Sequence, residues 1–326
     1  MKNVRIGGAA LNQTPIDWQH NSNNIIFAIN QAKEIGIKIL CLPELSITAY
    51  GCQDLFLSPW VTTKALKILM NLVYACDDIA VAIGLPYRID DKVYNSTCLV
   101  QNKKILGFYS KQILANDGIH YEPRWFNPWK PETQTTVEID GLTYPFGDIT
   151  FDLYGLKVGL EICEDAWNQE RPACRLFKRG IELILNPSAS HFSFYKGKTR
   201  EDLVVNSSKS FECGYLYVNQ LGNESGRVIY DGDVIIAQNG SLLTKNTRFS
   251  FQPLDITCID FNVEGTYNSE YNKKEKYTSR CEEFRQAGAL GLFDYLRKSG
   301  ARGYACLLYT SPSPRDQRGS RMPSSA

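Results

Sequence analysis

Histidine is nearly missing from this sequence: 326 residues contain only His20, His120 and His191. The ten cysteines stand singly, with no C-x-x-C pair among them. A Cys/His zinc site needs ligands clustered at short spacings, so no metal site is expected. A disulfide framework is not expected either, because Cys41, Cys98 and Cys258 lie inside apolar runs, where reduced cysteines pack as small hydrophobic residues. Excess charge is also absent. Thirty-six Lys and Arg against 35 Asp and Glu leave a net charge of +1, which gives no electrostatic reason to expect nucleic acid or an anionic membrane surface as partner. No apolar stretch approaches the ~20 residues of a membrane span. The opening "MKNVRIGGAALNQTP" has no long apolar segment ending in a small-residue cleavage site, so no signal peptide is expected. With 43% hydrophobic and 22% charged residues, the composition is that of an ordinary soluble globular chain, and a cytoplasmic location is expected.

What is present is a recurring short apolar run, a turn and a longer amphipathic segment. "VRIGGAAL", "IKILCL", "IAVAIGL", "STCLVQ", "LKVGLEI", "IELILN" and "YLYVNQL" read as buried strands. "SNNIIFAINQAKEIG" reads as a helix capped by Ser22, with Ile25, Ile29, Ala32 and Ile35 on one face and Gly36 at its end. "RPACRLFKRG" and "TREDLVVNSSKSFECG" offer two more helices, and "RVIYDGDVIIAQNGSLL" has hairpin character with Asn239-Gly240 as its turn. Strands alternating with helices, plus hairpins, predict a layered α/β fold with a mixed sheet. From Asn262 the chain turns polar. "FRQAGALGLFDYLRKSG" then predicts an amphipathic helix with Phe284, Ala287, Leu290, Phe293 and Leu296 on one face. The final Ser-, Pro- and Arg-rich stretch has no packing pattern and is expected to be disordered.

Catalytic groups of α/β folds gather just past the carboxyl ends of strands. Three reactive residues stand there: Glu44 in "IKILCLPELS", Lys111 in "KILGFYSKQIL" and Cys163 in "LKVGLEICEDAW". Cys163 poses a problem, because Glu161, Glu164 and Asp165 surround it in sequence, and carboxylates raise a thiol's pKa. A glutamate acting as general base and a lysine stabilising the developing oxyanion would solve it. Each residue also has a plainer reading: Cys163 as a small core residue, Glu44 as a helix cap, Lys111 as a solvated loop lysine.

Taken together, "CLPELSITAYGCQDLF", "SKQILANDGIHYEPRWFNPW" and "GLEICEDAW" resemble the three motifs of the nitrilase (carbon–nitrogen hydrolase) superfamily, whose triad is Glu, Lys and Cys in that chain order. "NPSASHFSFYKGKTRED", "YVNQLGNESGRVIYDGDVIIAQNGSLL" and "EEFRQAGALGLFDYLRKSGARGYA" are similar to the glutamine-dependent NAD synthetases. The resemblance implies an α-β-β-α sandwich. Glu44 would be the general base, Lys111 the oxyanion and intermediate stabiliser, and Cys163 the nucleophile that attacks the side-chain amide of L-glutamine. Ammonia would pass to a synthetase domain that amidates ATP-activated nicotinic acid adenine dinucleotide. The resemblance also implies that Glu122 braces the lysine, the alternative being a surface pair with Arg124, and that Ser190 and Lys196 hold the α-amino and α-carboxylate groups of glutamine. Asp117 stands where the family often has a tyrosine, which puts that contact in doubt. Nothing in the chemistry requires His120 or His191.

After "ARGYA" the family continues with a Ser-Gly-Gly-x-Asp-Ser loop for ATP pyrophosphate, whereas this chain reads "CLLYTSPSPRD", which resembles the translation of a sequencing adapter. The expected organisation is therefore a carbon–nitrogen hydrolase domain over 1–261, a linker with the first helix of an absent synthetase domain over 262–305, and a non-native tail over 306–326. No cofactor is expected for the amidase part; ATP and Mg would belong to the absent domain. A homo-oligomer is expected. The rival readings are a stand-alone nitrilase-type amidase acting on another small amide, and a non-catalytic module.

Overall fold

The computed structural model of the chain describes residues 3–224, 226–265 and 279–305. The expected tail over 306–326 and the polar run over 266–278 lie outside the described residues. In chain order the elements are β1 (Asn3–Leu11), α1 (Trp18–Glu34), β2 (Ile39–Cys41), α2 (Pro59–Val73), β3 (Ala80–Ile89), β4 (Lys92–Gln101), β5 (Lys104–Ser110), β6 (Gln134–Ile139), β7 (Leu142–Gly147), β8 (Phe151–Leu153), β9 (Leu156–Leu160), α3 (Pro172–Lys178), β10 (Leu183–Ser188), α4 (Lys196–Ser210), β11 (Gly214–Asn219), β12 (Leu221–Asn223), β13 (Ile229–Asp231), β14 (Val234–Gln238), β15 (Ser241–Lys245), β16 (Leu254–Asn262) and α5 (Arg280–Ser299). One sheet runs β16-β1-β2-β3-β4-β5-β7-β6 and a second β15-β14-β11-β10-β9-β8, while β12 and β13 pair separately. Both large sheets are mixed. β1, β2 and β3 pair in parallel and β3–β4 antiparallel, and β9–β10–β11 are parallel with β14 antiparallel beside them.

The alternation of side chains along each strand builds four layers. In β2, Ile39 and Cys41 face the second sheet and Leu40 faces the helices; in β3, Ala80 and Ala82 point one way and Val81 and Ile83 the other. The inter-sheet core joins Ile6, Ala10 and Leu99 to Leu160, Leu185, Leu216, Val218 and Ile236. Outside it, α1 and α2 cover the first sheet, and α3 and α4 cover the second. This is the expected α-β-β-α sandwich. The sheets approach most tightly at Gly8, where a Cβ would lie 2.4 Å from Val218 Cγ2.

Two expectations shift. α1 begins at Trp18, capped by Asp17, whose carboxylate accepts from His20 N. Ser22 sits inside the helix and donates back to Trp18 O, because Asp17 offers a stronger acceptor to the free N–H groups one turn earlier. In α5 the buried face is Glu283, Ala287, Leu290 and Asp294, whereas Phe284 is 67% exposed and Phe293 40%. Polar keys outrank apolar area here. Asp294 accepts from Asn12 Nδ2 (2.9 Å) and Asn223 N (2.8 Å). Lys298 Nζ donates to Asn12 Oδ1, Gln13 O and Asn223 O at 2.6–2.7 Å, and Glu283 pairs with Arg248. α5 thus docks on the sandwich beside β12 and β13, and the apolar stripe read from spacing is turned partly to solvent.

Replacing Asp294 by Ala strips the Asn12 amide and the Asn223 N–H of a buried acceptor. The expected loss is about 1–3 kcal/mol of unfolding free energy, read as a lower urea midpoint with unchanged slope. An unchanged midpoint would mean that α5 adds nothing to the body it packs on.

Candidate active site

Glu44 follows β2 past Pro43, Lys111 follows β5 directly, and Cys163 opens a short 3-10 turn (Cys163–Trp167) just past β9. Cys163 is the point of departure from the strand, with φ +46°, a left-handed conformation that a side-chain-bearing residue adopts at some cost. Glu44 and Lys111 are fully buried, and Cys163 is 8% exposed. Glycine makes room for the glutamate: a Cβ at Gly84 in β3 would lie 2.4 Å from Leu45 N and 2.8 Å from Pro43 O. Gln220 Nε2 holds the Glu44 carbonyl from the other side at 3.1 Å.

The Lys111 ammonium bonds Glu44 Oε1 at 2.6 Å and Glu122 Oε1 at 2.8 Å. Asn95 Nδ2 also donates to Glu44 Oε1 (2.7 Å). Glu122 accepts Tyr50 OH at Oε1 (2.7 Å) and Ala115 N at Oε2 (3.0 Å). One oxygen is left over: Glu44 Oε2 is buried and has no hydrogen-bond partner among the described residues. Burial pushes the Glu44 carboxyl upward, Lys111 opposes this and Glu122 adds to it. Lys111 is held well above the ordinary lysine value: burial works against its charge, and Glu122 and Glu44 outweigh burial. The Cys163 thiol is pushed up, first by burial and then by Glu44, with Lys111 and the backbone N–H of Ala189 pulling the other way.

The carboxylates next to Cys163 in sequence are engaged elsewhere. Glu161 pairs with Arg171 and accepts from Tyr215 OH and Ala173 N. Asp165 is a strut. Its Oδ1 accepts Gln112 N and Ile113 N (3.0 and 2.7 Å), just after Lys111, and its Oδ2 accepts Ile162 N (2.9 Å), just before Cys163. One side chain thereby fixes the lysine loop against the Cys163 turn. Glu164 is half-buried and pushed up by burial.

Glu122 lies against Lys111, while Arg124 pairs with Asp54. Ser190 follows Ala189 beside the thiol and is anchored: its N–H bonds Asn219 Oδ1, and Arg200 reaches its carbonyl (2.8 Å) and hydroxyl (3.3 Å). Lys196 opens α4 and is lowered by burial and then by Arg200. Asp117 is exposed on the loop between Lys111 and Glu122. A cavity of about 130 Å³ lined by Tyr50, His120, Tyr230 and Glu224 opens beside the cluster. Asn95, Tyr50 and Asp165 are parts that the spacing argument missed. Asn95 shows only as one of three consecutive polar residues, with Ser96 and Thr97, inside a buried strand, Tyr50 as a tyrosine inside the first motif, and Asp165 as a carboxylate too close to the thiol to be a base.

The carbon–nitrogen hydrolase profile matches residues 5–266, and the chain belongs to that family. It is similar to curated glutamine-dependent NAD(+) synthetases, for example those of Mus musculus (31% identical over 87% of this chain and 41% of that one) and Homo sapiens (31%, 87% and 42%). The crystal structure of a glutamine-dependent NAD(+) synthetase from Cytophaga hutchinsonii superposes with a TM-score of 0.83 at 45% identity, over 92% of this chain and 48% of that one. An amidase from Nesterenkonia sp. shares the fold at 20% identity and a TM-score of 0.64, over 80% of this chain and 92% of that one. The chain spans under half the length of the synthetases compared here. Among the described residues no helix is long and apolar enough to cross a membrane.

Asp165→Asn keeps an acceptor for the lysine loop but turns an NH2 toward the Ile162 N–H, or the reverse if the amide flips. The expected result is a loss of about 1–3 kcal/mol in urea unfolding together with slower alkylation of Cys163 by iodoacetamide. Wild-type values for both would remove Asp165 as a strut. Gly84→Ala should displace the Glu44 loop, and a crystal structure with Glu44 unmoved would contradict this.

Proposed function

We propose that this chain hydrolyses the side-chain amide of L-glutamine with a Glu44–Lys111–Cys163 triad and releases ammonia for a synthetase domain that forms NAD. The observation that carries the reading is the unpartnered Glu44 Oε2: in a cluster where the other carboxylate oxygens are bonded, one buried oxygen is left to take a proton. With the Cys163 proton still on sulfur at rest, Glu44 removes it as Sγ attacks the amide carbon. The C–N bond breaks as Glu44 returns that proton to the leaving nitrogen, which departs as ammonia and leaves a glutamyl thioester. Glu44 then takes a proton from water, the hydroxide displaces sulfur, and the proton returns to Cys163 as glutamate forms. Lys111 faces the negative charge of both tetrahedral species.

Glu122 keeps Lys111 in place, and Ser190 and Lys196 meet the α-amino and α-carboxylate groups of glutamine. The amidase step uses no cofactor. ATP and Mg act in the synthetase half, which receives the ammonia. The named synthetase relatives support the glutamine substrate. A homo-oligomer in the cytoplasm is the setting we propose for it.

Ammonia release from glutamine should vanish in Cys163→Ala. Glu44→Gln and Lys111→Met should each fall by on the order of 10²–10³ or more, the usual cost of one preorganised group. In the wild type, 6-diazo-5-oxo-norleucine should leave its adduct on Cys163, read by peptide mass spectrometry. Hydrolysis that survives Cys163→Ala, or an adduct on another residue, would sink the assignment.

A further inference from the structure

His120 and His191 take part in no step above, yet they meet beside the triad. His120 comes from the loop between Lys111 and Glu122, and His191 from the loop between β10 and α4 that carries Ser190 and Lys196. His120 Nε2 and His191 Nδ1 are 2.8 Å apart. On its other side, His120 Nδ1 is 3.3 Å from the Tyr50 hydroxyl, and that hydroxyl is 2.7 Å from Glu122 Oε1. His191 is pinned from behind, since its carbonyl accepts from Arg200 Nη2 (3.0 Å) and its backbone bridges to Tyr230.

The far end of this chain fixes the direction of every hydrogen in it. Glu122, a counter-ion of Lys111, can only accept. Tyr50 has a single hydroxyl hydrogen and spends it on Glu122, so its oxygen must accept from His120, whose hydrogen is then on Nδ1. A neutral His120 presents the lone pair of Nε2 to His191, which must donate from its own Nδ1. Burial pushes both imidazoles down, His191 to about 4, so both rings are neutral at neutral pH; Lys196 adds to the effect on each, while Glu122 and then Asp117 oppose it at His120 and Asp117 opposes it at His191.

We propose that His120 and His191 are positioning residues of the triad, forming a one-way hydrogen-bond chain His191→His120→Tyr50→Glu122 that locks the loop of Ser190 and Lys196 to the loop of Lys111. The inference rests on the glutaminase reading only for its kinetic arm. The chain keeps the Tyr50 hydroxyl on Glu122, which in turn shares Oε1 with the lysine. Loss of the His191 link frees His120 to change tautomer and accept the Tyr50 hydrogen, so that Glu122 loses one of the donors that orient it toward Lys111.

The first test is spectroscopic. Long-range ¹H–¹⁵N correlation on the full chain at neutral pH should show both His120 and His191 as Nδ1–H tautomers, against the Nε2–H form usual for a free imidazole. An Nε2–H tautomer at either residue overturns the proposal, whatever the enzyme acts on. The second is kinetic. His120→Phe keeps ring volume without nitrogen, and His191→Leu removes the first donor; each should lower kcat for glutamine about tenfold, one hydrogen bond's worth, with little change in KM. His191→Asn restores a donor at the δ position and should recover most of the rate. The double variant should be no worse than either single one, because the links act as a unit. Additive losses, or no rescue by asparagine, would show that the two rings serve packing alone and overturn the proposal. Nδ1–H tautomers in a chain that releases no ammonia from glutamine would leave the hydrogen-bond chain standing and sink the glutaminase reading instead.

Discussion

The ammonium of Lys111 has no access to water, and the geometry around it follows from that constraint. A lone buried charge costs many kcal/mol, and the group would sooner lose its proton than carry that cost. Lys111 keeps its proton because Glu44 and Glu122 close on it from opposite loops. The carboxylates must be brought there in turn, so the end of β2, the end of β5, the Tyr50 loop and the short turn at Glu122 have to converge on one point. Removing one partner would strand the others as unpaired buried charge, a loss of several kcal/mol. The same logic recurs on the second sheet. Arg200 is buried between Asp231 and Asp233, and its Nη2 donates to the carbonyls of Ser190 and His191. Arg171 neutralises Glu161 at the end of the strand that delivers Cys163. Each ion cluster fixes one loop of the site.

The layers of the fold were legible because strands with period-two burial and helices with period 3.6 leave distinct apolar patterns. "IKILCL" was legible as a buried strand, whereas the opposite facing of Leu40 against Ile39 and Cys41 emerges only in the structure, because all three are apolar. α5 shows where the method stops. Spacing favoured a stripe through Phe284, but Asp294 and Lys298 dock to backbone and amide groups of residues 12, 13 and 223. A pattern of hydrophobicity has no means of seeing a buried acid whose partners lie 71 and 282 residues earlier in the chain. Capping of α1 failed for a smaller reason: Asp17 and Ser22 both suit an N-cap, and only the position of the first turn separates them.

The site was legible where strand ends announced it. Glu44, Lys111 and Cys163 could be picked out because each is a reactive group directly after an apolar run. Asn95, Tyr50 and Asp165 could not, since they act through hydrogen bonds across the fold and carry no spacing signal. Glu161 and Asp165 misled in an instructive way. Proximity in sequence made them look like neighbours of the thiol, but alternation and the turn at Cys163 send Glu161 to Arg171 and Asp165 to three backbone N–H groups. The carboxylates that raise the thiol come from residues 44 and 122.

That outcome fixes the chemistry the site can perform. A cysteine paired with a cation beside few anions would rest as a thiolate and react on contact with electrophiles. Cys163 is instead a thiol at rest, because burial and Glu44 outweigh Lys111. In the proposed reaction its nucleophile forms as a proton moves to Glu44, a move made favourable by a carbonyl carbon in place to take the sulfur electrons and by Lys111 facing the developing oxyanion. Net charge in the buried cluster is conserved through this step: one proton shifts between two groups already inside, and nothing ionic has to enter from water. A neutral amide side chain suits such a site, since it brings no charge of its own into a region where every charge must be matched.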